Sequence, residues 1–133
     1  MLSDARFQSL QIAVLTVSDT RTVANDTSGD YLSEQIQQAG HQLITRNLIP
    51  DDIYQLRAVV SNWIADSSVE IILTTGGTGL TGRDGTPEAL VPLFDKTIEG
   101  FGELFRYLSF QEIDTSTVQS RAVAGVAVSY THL

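Results

Sequence analysis

The sequence predicts an α/β domain in three layers, helices on either side of a mostly parallel central sheet. Three observations carry the prediction. Apolar, β-branched runs occupy residues 10–17, 42–49 and 69–75, and near-continuous runs of this kind suit strands buried on both faces. Helical periodicity separates one run from the next, and the connections are short enough to return each strand to the same sheet by a right-handed crossover.

The first run, LQIAVLTV, gives strand one. After the polar stretch 18–28, Leu32, Ile36 and Ala39 recur at helical spacing up to Gly40, a natural stop, and define the first helix. Residues 42–49 form the second strand, ended by Pro50, with Asp51 or Asp52 available to cap the second helix. In that helix Ile53, Leu56, Val59, Val60, Trp63 and Ile64 lie along one stripe, so Trp63 is expected in the core. The third run, VEIILTT, leads directly into Gly76-Gly77-Thr78-Gly79. Thr86 then offers an N-cap and Pro87 an N1 residue for a helix reaching about Phe94. A last helix over 101–113 presents Phe101, Leu104, Phe105 and Leu108 on one side, again the pattern of core packing.

The chain has 133 residues, a formal net charge of -8 and 42% apolar residues, which suits one domain over 1–133 with its own core. The acidic balance repels polyanions and no Lys/Arg cluster offsets it locally, so nucleic acid is not expected as a partner. A small anion remains compatible with this charge, because main-chain N–H groups and a bound cation dominate within one pocket. There is no cysteine, which rules out disulfides, thiolate metal sites and cysteine nucleophiles. No apolar stretch approaches the roughly 20 residues needed to span a bilayer, so no membrane association and a cytoplasmic address are expected.

Parallel sheets bind ligands beyond their strand C-termini, and here three loops meet that condition: the one holding Ser18 and Asp19, the turn at Pro50 and Asp51, and residues 75–84. The last is the most informative. Three glycines in four positions remove the Cβ atoms that keep a phosphate from main-chain N–H groups, while Thr75, Thr78 and Thr81 add hydroxyls that a purely structural turn does not need. The alternative is a sharp turn and nothing more. The segment matches neither the P-loop nor G-x-G-x-x-G. Asp51 and Asp84 follow two of these strands and could share a magnesium ion beside the phosphate loop; taken singly, each is the more readily explained as a helix cap. Asp19 and Asp26, with Thr27, Ser28 and Gly29, either contact ligand polar groups or cap the first helix. Arg83 could offset ligand charge; Arg21, Arg121, His41 and His132 carry no clear signal, and His41 is expected to be solvated.

The segments TTGGTG, RDGTPEAL, GFGELFRYLSFQEI and TSTVQSRAVAGVA together resemble the MoaB/MogA family of molybdenum cofactor biosynthesis proteins, closest to the MoaB branch, over about residues 11–127. The resemblance implies a MogA/MoaB-like α/β/α fold, a homotrimer or homohexamer, and Mg²⁺-dependent transfer of AMP from ATP to molybdopterin. It further implies that Asp51 and Asp84 are the catalytic, metal-holding acids, and that Ser18, Asp19, Thr75, Gly76, Gly77, Thr78, Gly79 and Glu88 line the substrate site. Other proteins of the pathway are implied as partners. After Ala127 the chain reads VSYTHL, unlike the family, so the sequence is expected to lack the C-terminal part of the family domain. Two other functions stay open: a protein that binds molybdopterin or a related pterin without reacting it, and a structural or assembly role.

Overall fold

The computed structural model describes residues 6–128. Strand β1 (Gln11–Val17) lies between β2 (Gln42–Ile49) and β3 (Ile71–Thr75), and both pairings are parallel. The chain steps outward from β1 to β2 and then returns to the far side of β1 for β3. The topological switch point therefore lies between the C-terminal ends of β1 and β3.

Strict alternation along β1 splits the core into two layers. Ile12 and Val14 face one way and pack with Ile36 of α1 (Thr27–Gln38), flanked by Leu32, Leu43 and Leu73. Leu15 and Val17 face the other way, onto Ile49 and onto Leu56 and Val60 of α2 (Ile53–Ala65), together with Ala89 and Leu90 of α3 (Thr86–Leu90). Trp63 packs half-buried at the edge of this second layer, as its position on the apolar stripe requires. Arg57 ties α2 to α3 through the carbonyls of Glu88 and Ala89. A small antiparallel pair, β4 (Lys96–Thr97) and β5 (Gly125–Val126), joins the segments before and after α4 (Glu99–Ile113).

Of the two aspartates able to cap α2, Asp52 does so, accepting from the N–H groups of Tyr54 and Gln55. Other expectations are corrected. Gly85 occupies the N-cap of α3, and Thr86 is its first helical residue. That helix ends at Leu90 rather than near Phe94, and the chain tightens into a 3-10 turn over Val91–Leu93, because Pro92 has no N–H to continue the α ladder. His41 is half-buried rather than solvated: its Nδ1 accepts from the N–H of Leu10 at 3.0 Å, and its ring meets Phe7. His132 lies outside the described residues.

The largest departure is α4. Phe101, Leu104, Phe105 and Leu108 are 43–59% exposed, not buried. The only buried residue of this helix is Gly102, where a Cβ would meet the carbonyl of Ala122 at 2.9 Å. Amphipathic spacing specifies that a face needs covering and leaves open whether the same chain covers it.

Candidate functional site

The glycine loop leaves β3 and bends over the end of β1. Gly76 has φ +102, and a Cβ there would lie 2.1 Å from the carbonyl oxygen of Val17, so no larger residue fits. Gly77 has φ +71, and its Cβ would fall 2.2 Å from Thr86 Oγ1 and 2.9 Å from Asp51 Oδ2. At Gly79 the same construction meets Asp84 Oδ2 at 2.6 Å. Asp51 and Asp84, 33 residues apart in sequence, thus both lie against one four-residue loop.

The polarity of that loop is set by its own chain. Thr86 Oγ1 donates to the Gly76 carbonyl at 2.8 Å, and Thr86 N–H to that of Gly77 at 3.0 Å. Arg121 N–H donates to the Thr78 carbonyl at 3.0 Å, and Arg121 Nε to that of Gly79 at 2.7 Å. Four consecutive carbonyls, the groups that would repel an anion, are held back. The N–H groups of Gly77 and Thr78 have no acceptor among the described residues. Such an array of amides is suited to bind a phosphate.

Because Asp52 takes the cap of α2, the Asp51 side chain is free to turn to the loop, where Oδ1 accepts from Gly85 N–H at 3.1 Å. Burial raises its pKa above the ordinary carboxylate value, and the neighbouring charges of Asp19 and Asp84 add to the rise against the opposing Gly85 hydrogen bond. Asp84 is lowered instead, chiefly by the Thr81 hydroxyl and then by the Thr81 N–H, both bonded to Oδ2. Asp19 joins the group from the loop after β1. Its Oδ1 accepts from Asp51 N–H at 3.0 Å, and its carboxylate takes Arg83 at 2.9 and 3.1 Å. Arg83, then Asp51 N–H, hold the Asp19 pKa down. Ser18 lies at the end of β1, its Oγ accepting from Thr20 and Arg21 N–H groups and its own N–H donating to Ile49.

The other candidates separate from this cluster. Asp26 is 1% exposed and caps α1 through Gly29 N–H, while Thr16 Oγ1 and Arg46 bond its Oδ2; it holds β1, α1 and β2 together and contacts no open site. Arg21 turns back to Asn25 and Thr27 within its own loop. The Glu88 carboxylate pairs with Arg121, which the sequence left without a role. No local spacing could have identified Arg121, since 42 residues separate it from Gly79. A hollow of about 430 Å³ at the end of β3 is lined by Thr74 and Thr75, by Thr27, Ser28 and Tyr31 of α1, and by Phe105 of α4. A smaller one, about 230 Å³, lies beside Asp51, Tyr54 and Arg83. Among the described residues no three His, Asp or Glu side chains converge as a ready-made metal site, and no helix is long and apolar enough to cross a membrane.

A parallel sheet with an amide-lined loop and carboxylates at its switch point defines an α/β domain built to hold a ligand beyond its strand C-termini. Residues 13–130 match the family described as "Probable molybdopterin binding domain", and the chain belongs to that family, that of the MoaB and MogA proteins of molybdenum cofactor biosynthesis. It is 56% identical over 121 residues to molybdenum cofactor biosynthesis protein B of Escherichia coli K12, covering 91% of this chain and 71% of that protein. Identity to the protein of the same name from Staphylococcus carnosus is 45%, over 89% of this chain and 71% of that one. Among solved structures, a molybdenum cofactor biosynthesis protein B superimposes with a TM-score of 0.86 at 40% identity, covering 90% of this chain and 75% of that one. The tungsten cofactor synthesizing protein MoaB of Pyrococcus furiosus gives 0.80 at 35%, over 92% and 76%. The α/β architecture with a parallel central sheet is therefore the MogA/MoaB fold.

Proposed function

We propose that this protein transfers AMP from ATP to molybdopterin, with the glycine loop holding the pterin's terminal phosphate and Asp51 and Asp84 flanking the reacting groups. The observation that carries this reading is the meeting of the two acids at a loop whose carbonyls are all tied back. An oxygen of the molybdopterin phosphate attacks the α-phosphorus of ATP, the bond from that phosphorus to the bridging oxygen breaks, and pyrophosphate leaves with the bonding pair. A phosphate oxygen is already ionised, so no general base is needed; what the chain must do is position and neutralise.

The residues suit magnesium. They offer hard carboxylate oxygens, Asp51 Oδ2 faces the loop, and the burial and neighbouring carboxylates that raise Asp51 disfavour its bare charge, which a cation would offset. Two carboxylates are enough when substrate phosphates and water complete the shell. Asp51 and Asp84 would hold magnesium, which would supply neutralisation of the charge on the nucleotide phosphates. Ser18, Asp19, Thr75 and the amides of residues 76–79 orient the phosphate-bearing end of the pterin, and Glu88 closes the wall behind them.

The same proposal takes the protein as a homotrimer or homohexamer in the cytoplasm, working with other proteins of the pathway. The uncovered apolar side chains of α4 supply a face for a second copy. Purified protein given ATP, Mg²⁺ and molybdopterin should release pyrophosphate and form adenylylated molybdopterin. Molybdopterin binding with no pyrophosphate release would instead assign a binding protein of the pathway.

A further inference from the structure

We infer that Arg121 is a positioning residue of the glycine loop, setting the direction of its second half and the placement of Asp84. Because a peptide unit is planar and trans, holding the carbonyl of one residue fixes the direction of the next residue's N–H. Thr86 holds the carbonyls of Gly76 and Gly77 and so aims the N–H groups of Gly77 and Thr78. Residue 121 holds the carbonyl of Thr78 through its main-chain N–H and that of Gly79 through the side-chain Nε, so the arginine side chain itself aims the N–H group of Leu80. Its Nη2 also binds the main-chain carbonyl of Asp84 at 2.5 Å, which ties Asp84 to the end of the glycine segment.

Each of the three guanidinium nitrogens has an acceptor in the chain. Nε and Nη2 take carbonyls, and Nη1 takes Glu88 Oε2 at 2.5 Å from α3. Glu88 therefore acts through Arg121, orienting its planar fork and balancing its charge. A residue placed to meet a ligand anion would keep donors facing outward; Arg121 spends three on its own chain. The planar fork matters, because a lysine ammonium is a point charge that cannot serve three acceptors spread across a guanidinium.

This rests on the ligand role proposed for the loop, so the test separates the two. In the full chain, ¹⁵N relaxation reports backbone order at Gly79, Leu80 and Gly85, whose peptide units the side chain holds, and fluorescence titration reports molybdopterin affinity. Arg121→Lys should keep the fold, lose order at those three residues and raise the molybdopterin Kd by about tenfold or more. Arg121→Lys with wild-type order would make Arg121 a plain charge and overturn the inference, and lost order with retained affinity would show that this ordering does not set ligand binding and overturn it too. Should Arg121→Lys fail to fold, Glu88→Ala takes its place: freeing the guanidinium should loosen the same residues, and unchanged order there counts against the inference. A wild-type protein that binds no molybdopterin would defeat the ligand role of the loop, leaving the relaxation measurement to judge Arg121 by itself.

Discussion

At Asp51 the proposed ligand chemistry runs against stability. A carboxylate whose pKa is raised in the folded protein binds its proton more readily there than in the unfolded chain, so its ionised form costs stability at neutral pH. Asp51→Asn keeps an oxygen for the Gly85 N–H and removes the charge. It should raise the melting temperature at pH 7 by about 1–3 °C. The same variant, and Asp51→Ala, should lower adenylyl transfer by at least about 100-fold, measured as pyrophosphate release. In the wild type, activity should decline on acidification at a higher pH than an ordinary carboxylate would give, because the proton that competes with a cation is held more tightly. Asp26 shows the opposite sign. Burial pushes its pKa up, but hydrogen bonds from Arg46, Gly29 N–H and Thr16 outweigh that and leave it lowered. Its stability contribution is complete above the unfolded value and is lost as the pH falls through the lower folded value. Asp26→Asn should therefore cost about 3 kcal/mol in urea unfolding at pH 7. The difference should shrink once the pH drops below the usual carboxylate range, while ligand affinity stays near wild type.

Among the elements, the turn from β3 to α3 decides whether a site exists. Gly77→Ala would force a Cβ onto Thr86 Oγ1 and toward Asp51 at a backbone angle that L-residues rarely adopt. The loop must then move off α3, so molybdopterin binding should fall by about tenfold or more while the rest of the sheet remains folded; isothermal titration and circular dichroism together would show it. Much of this level was legible in the residues. β2 coincides with the apolar run that ends at Pro50, and β1 and β3 differ from expectation by one and two residues at their starts. What misled was Thr86, a good capping residue whose hydroxyl and N–H are used instead to pin the carbonyls of Gly76 and Gly77. Capping propensity describes the half turn around a residue, and cannot register that a loop ten residues back needs the same donors.

For the molecule as a whole, α4 is the open question of packing. Seven apolar side chains between Phe101 and Ile113 are each 43–64% exposed, an arrangement a lone soluble chain seldom keeps. Replacing Phe105 and Leu108 with Asp should convert the proposed homo-oligomer to monomer in light scattering without lowering the pH 7 stability of the β1 core layers, which α4 does not enter. An assembly that kept its mass would assign the interface elsewhere.

By itself the sequence determined the order and type of the elements, the two-sided burial of β1 though not of the half-buried β2 and β3, the glycine loop after the third strand and the family to which these belong. Each of those depends on local chemistry: side-chain period, chain stops, and residues without Cβ atoms. Tertiary structure alone decided that Asp52 rather than Asp51 caps α2, that Asp26 is locked in a buried network, that Arg121 and Thr86 orient the loop, and that α4 turns its apolar side outward. The physical reason is the same in each case. A hydrogen bond or a packed face is settled by whichever partner the folded chain brings within about 3 Å, and partners 10, 20 or 42 residues away leave no trace in local spacing.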